Sequence, residues 1–111
     1  MKDYEKYLED NKEILRFIKE NKLLDDIDEA DNQACENADD FGNQYLHADR
    51  YSKIYDVIRA KNINIERIEI GRYALKIVEL LETKCGKYLE DMISDCFPNE
   101  YYDEVEEEYE I

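Results

Sequence analysis

The 111-residue chain carries 30 acidic and 15 basic side chains, a single His and a net charge of −15 at pH 7. A charge so far from neutral argues against direct binding to nucleic acid or to an anionic membrane surface, since both are polyanions, and favours a cationic partner or simple solubility. The three cysteines, Cys35, Cys85 and Cys96, are odd in number, widely spaced and form no CxxC pair, which speaks against a disulfide framework or a zinc site and for reduced thiols.

Leu, Ile, Val and Phe make up roughly a quarter of the chain, enough for a core but a thin one at this size. The first ten residues are polar, with no apolar core of a signal peptide, and no apolar run approaches the ~20 residues of a membrane span. The expected location is the cytoplasm.

With three Gly and one Pro, helices are expected to be long and loops short. The first spans 3–22, where Tyr4, Tyr7, Leu8, Ile14, Leu15 and Ile18 recur at helical steps, with Asp3 as N-cap. The second spans 28–61. Ala34, Ala38, Phe41, Tyr45, Ala48, Ser52 and Tyr55 alternate steps of four and three, a heptad seam of small and amphipathic residues along which another helix should lie closely. That neighbour belongs either to the same chain or to a second copy in a homodimer. Gly42 falls inside the seam and is a point of bending or interruption.

The third helix spans 64–94 and is the most apolar, with Ile68, Ile70, Tyr73, Ala74, Ile77, Val78, Leu81, Tyr88, Leu89, Met92 and Ile93 on a broad face. The near-alternating 63–70 has strand character but no second strand to pair with, and reads as loop or helix start. Pro98 suits the first turn of a short fourth helix. The expected fold is all-α: a small helical bundle of three main helices, one of them long with the heptad seam, occupying 1–98, followed by a short acidic C-terminal helix or tail at 99–111.

Charge is distributed in blocks. Residues 25–49 hold nine acids and no Lys or Arg, and residues 88–111 hold ten acids and no Lys or Arg; a net-positive stretch separates them. Mixed signs would serve solubility with less self-repulsion. Asp25, Asp28, Glu29, Glu36, Asp39 and Asp40 in the first block are candidates to meet a partner. So are Tyr101, Tyr102, Asp103, Glu104, Glu106, Glu107 and Glu108 in the second. Carboxylates in a row on a rigid helix imitate a run of phosphates, and interleaved Tyr adds cation–π contact with Arg and Lys.

Catalytic motifs are lacking. His47 has Gln44, not Glu, three residues before it, and Ser52, Ser94 and Thr83 lie in no nucleophile motif. There is no Gly-rich phosphate loop. Asp26 and Asp28 begin like a calcium loop, but Ala30 and Asp31 stand where that loop needs an oxygen ligand and a Gly. The chain is therefore not expected to be an enzyme or to hold a cofactor or metal.

In size, charge and missing catalytic apparatus the chain resembles the small acidic inhibitors that phages and other mobile elements direct against host nucleases, anti-CRISPR and anti-restriction proteins among them. The resemblance implies a nucleic-acid mimic acting in the host cytoplasm. Its partner would be a basic nucleic-acid-binding protein such as a CRISPR or restriction nuclease, met through the basic groove, without direct contact to nucleic acid. Two other readings fit the same composition: an antitoxin or immunity protein that neutralises a basic toxin, and a helical scaffold or oligomerisation module whose charge serves solubility.

Overall fold

The computed structural model describes residues 2–83 and 88–98. Among these residues the fold is all-α, with six helices and no strand: α1 (Lys2–Asp10), α2 (Lys12–Glu20), α3 (Leu24–Phe41), α4 (Leu46–Ala60), α5 (Arg67–Thr83) and α6 (Leu89–Cys96). No helix among them is long and apolar enough to cross a membrane. Expected residues 99–111, and the helix anticipated after Pro98, lie outside the described residues.

Each of the three long helices anticipated from the sequence is divided in two, and the first two divisions have a local cause. At Asn11 the side-chain amide donates to the Tyr7 carbonyl at 2.8 Å, so that this acceptor serves both the amide and the Asn11 backbone N–H at 3.1 Å, a local side-chain bond of the kind that favours helix ends. Asn21 donates to Phe17 in the same way at the end of α2. There Lys22 turns left-handed, with φ 55°, and the Leu23 N–H reaches back to the Ile18 carbonyl, closing the helix end. Between α5 and α6 the described chain resumes with Tyr88 in extended conformation.

The largest departure from the expected architecture is at Gly42. With φ +96° this glycine ends α3 in a conformation other residues avoid, and a short 3-10 turn over Asn43–Tyr45 leads into α4. The heptad seam is therefore not one long helix but an antiparallel hairpin. Asn37 meets Asp49 near the turn, and Asp26 meets Lys61 at the far end. Ala34 and Ala38 are buried as the seam requires, but Phe41 and Tyr45 are 74% and 63% exposed, and Ala48 and Ser52 are also exposed. The reversal carries these four out of the interface that a continuous helix would have given them.

The core lies where α4 packs on α5 and where α2 packs on α5 and α6. α5 supplies the most buried side chains of any described helix: Ile70, Ala74, Ile77, Val78, Leu80 and Leu81. Ile14, Leu15 and Ile18 of α2 join them, with Ile27 of α3, Ile54 and Ile58 of α4 and Met92 and Ile93 of α6. Phe17 stacks on Tyr73 at 4.1 Å between centroids. Arg16 lies 4.7 Å over the Phe97 ring. Gly71 lets α4 come close, since a Cβ there would stand 3.0 Å from the Tyr51 hydroxyl.

Two residues expected on the apolar face are not there. Ile68 and Tyr88 are each 72% exposed. Ile68 sits about 160° around the helix from Ile70 at 3.6 residues per turn, and Tyr88 precedes α6 in an extended conformation, outside the helical period of that face.

Candidate acidic interface

The nine acids of residues 25–49 separate into two groups once α3 and α4 are formed. Three face the hairpin and are ion-paired within it. Asp31 accepts from Arg50 Nε at 2.6 Å, and both side chains are largely shielded from solvent. Burial pulls the Arg50 guanidinium down, but the hydrogen bond and charge of Asp31 outweigh it and hold the pKa above its usual value. Asp26 pairs with Lys61 at 3.3 Å. Asp49 pairs with Lys53 at 2.9 Å and accepts from Asn37 Nδ2 at 3.0 Å. The hydrogen bond from Lys53, then that from Asn37, holds its carboxyl below the usual range.

The other six are Asp25, Asp28, Glu29, Glu36, Asp39 and Asp40, and all are exposed. At about 100° per residue they fall within an arc of about 120°, centred opposite the buried Ile27, Ala30, Ala34 and Ala38. They form one stripe of about 22 Å, at 1.5 Å rise per residue. Asp25, Asp28 and Glu29 cluster at one end and Glu36, Asp39 and Asp40 at the other. Within each cluster the axial step is about 1.5–4.5 Å, and about 10 Å of helix axis separates the two clusters.

The two ends of α3 differ in kind. Asp25 and Asp26 stand in its first turn, where the helix dipole favours anions. Asp39 and Asp40 stand in its last turn, where no basic residue accompanies them and where the unsatisfied carbonyls favour cations.

α6 extends the acidic surface in a way the sequence alone does not disclose. Asp28, Asp31 and Asn32 of α3 line a cleft of about 250 Å³ together with Tyr88, Leu89 and Glu90. The start of the second acidic block thus adjoins the first. Asp95, further along α6, accepts from the Tyr4 hydroxyl at 2.7 Å. The remaining candidates, Tyr101, Tyr102, Asp103, Glu104, Glu106, Glu107 and Glu108, lie outside the described residues.

His47 Nδ1 lies 2.6 Å from Glu82 Oε1, tying the start of α4 to the end of α5. Among the described residues no group of three or more His, Cys, Asp or Glu side chains converges to hold a metal ion. Cys35 is a free thiol and accepts from Arg50 at 3.6 Å. Compared with protein-family models, with curated proteins and with solved structures, the chain gives no significant match.

Proposed function

We propose that this protein is an acidic inhibitor that binds a basic, nucleic-acid-handling protein and occupies the groove where DNA or RNA would lie. The reading extends to a host nuclease as the target, in the manner of anti-CRISPR or anti-restriction proteins of phages and mobile elements, acting in the host cytoplasm.

The observation that carries it is the α3 stripe: six exposed carboxylates on one face, in two clusters, on a helix anchored by its opposite face. Rigid placement matters because a preorganised row of charges loses little entropy on binding. Asp39 and Asp40 add weight. Two acids against the negative end of a helix dipole oppose folding, and solubility alone would be served better there by Lys.

The test is affinity capture from a lysate of the source cells followed by displacement with duplex DNA. Recovery of a nucleic-acid-binding protein that DNA displaces, whose association slows steeply with salt, is the expected result. Charge reversal of Asp25, Asp28, Glu36 and Asp39 to Lys should weaken capture while leaving the helical circular dichroism intact. A partner held at a surface away from its nucleic-acid groove, indifferent to salt and to the reversals, would leave the charge as solvation only.

A further inference from the structure

Two grooves lie between α3 and α4, and the Asn37–Asp49 hydrogen bond crosses between the helices in the first of them. Near the turn lies a groove of about 570 Å³. Ala34, Ala38 and Phe41 form one wall, and Tyr45, Ala48 and Ser52 the other. The small residues keep the walls low, and two largely exposed aromatic rings stand at the closed end. Tyr and Phe exposed beside small apolar residues suit a contact surface, where aromatic residues are enriched.

Further along the same two helices follows a second groove of about 560 Å³, lined by Asp26, Glu29, Lys53, Asp56 and Lys61 among others. Both lysines are already engaged, Lys61 by Asp26 and Lys53 by Asp49. Glu29 and Asp56, both exposed, leave this end with an acidic surplus. The hairpin side is therefore apolar toward Phe41 and anionic toward Asp26.

We propose that this groove receives an amphipathic helical segment of the basic partner. The segment's apolar side chains lie between Phe41 and Tyr45, and its Lys or Arg side chains reach Glu29 and Asp56. The proposal rests on the reading that the partner is basic, and adds where a part of it is gripped. Charge selects this occupant over the alternatives. A second copy would bring −15 against −15, and the chain's own residues 99–111 contain acids but no Lys or Arg. The two grooves together span α3 from Asp26 to Phe41, which at 1.5 Å per residue matches a helix of about 15 residues, bound in the helix-in-groove manner.

The probe is a fluorescein-labelled Leu/Lys peptide of about 15 residues, helical, with one apolar face and Lys enriched at one end. A control peptide keeps every Lys and replaces Leu by Gln. Fluorescence anisotropy is read at about 0.15 M salt, where exposed charges are screened beyond ~8 Å. The Leu/Lys peptide should bind the full chain at least about tenfold more tightly than the control, the fold-change of one hot-spot contact. Phe41→Ala and Ala48→Arg should each weaken it about tenfold or more. Both positions are exposed, and circular dichroism confirms that the variants fold. Reversal of Asp25, Glu36 and Asp39 to Lys should change peptide affinity less than about threefold, because these side chains face away from the groove.

Absence of binding, equal binding of the two peptides, or indifference to Phe41 and Ala48 would overturn the groove proposal. Equal peptides that both lose affinity on stripe reversal would remove the groove and leave the stripe reading standing. Groove-specific binding together with a captured partner indifferent to stripe reversal would do the opposite.

Discussion

The Tyr4 hydroxyl donates a 2.7 Å hydrogen bond to Asp95 Oδ2 across 91 positions of sequence, joining α1 to α6. Burial first, and then the hydrogen bond and charge of Asp95, push the Tyr4 phenol well above its ordinary value, so it remains a donor throughout the physiological range. Tyr4→Phe removes the bond and should cost about 1 kcal/mol, the usual worth of such a contact. The raised folded-state pKa fixes the pH dependence. The contribution is fully present below the unfolded value of about 10 and is lost as pH rises toward the folded one. Urea unfolding of wild type and Tyr4→Phe should therefore differ by a constant amount from pH 6 to 9 and converge above about pH 10. A gap that widens there would show that Tyr4 is not the donor.

Ile77 is fully buried at the centre of the α5 face. Ile77→Asp places a carboxylate without a partner among aliphatic side chains and should cost about 4 kcal/mol or more, a large part of a small domain's stability. Thermal melting should show the variant largely unfolded at 37 °C. A melting temperature within a degree or two of wild type would remove α5 from the core.

Lys22 closes α2 with a left-handed backbone, a conformation that costs a residue with a Cβ about 1–2 kcal/mol. Lys22→Gly relieves it but enlarges the unfolded ensemble, for an expected net gain of about 0.5–1 kcal/mol. Denaturant midpoints report it, and a lower midpoint for the Gly variant would contradict the closure described.

Asp40 sits in the last turn of α3 beside Asp39. Asp40→Lys reverses its sign relative to the dipole and relieves like-charge repulsion, and should stabilise the isolated protein by about 0.5–1 kcal/mol. The same change should weaken capture of a basic partner. Stability that rises as binding falls is the behaviour of a residue kept for a partner. If binding is unchanged while stability rises, this end of the stripe has no partner role.

The sequence made some of this legible. Core positions on α5 follow from their period, because a strongly apolar helix has one face to bury. The six stripe acids follow from helical spacing, since α3 remains straight through them. The breaks were not legible in the same way. Asn11 and Gly42 are weak signals in isolation. An Asn amide can face solvent in a continuous helix, and a Gly can be tolerated inside one at about 1 kcal/mol. Only the tertiary gain of folding α4 back on α3 decides for reversal at Gly42. With that reversal, Phe41 and Tyr45 change from expected seam residues to exposed rings. The adjacency of Glu90 to Asp28 is likewise invisible without the packing of α6.

The reversal at Gly42 also bears on how the chain acquires its shape. α3 finds its partner helix immediately after the turn at 42–45, so the hairpin closes over a short loop with little entropy lost. The α1–α6 contact through Tyr4 and Asp95 must instead wait for ends 91 positions apart to meet. Sequence-local contacts of the first kind favour collapse in microseconds to milliseconds. The acidic stripe therefore rides on a sequence-local unit expected to form early, and substitutions along the α3–α4 contact, such as Ala34→Leu, should slow refolding, while Tyr4→Phe should chiefly speed unfolding.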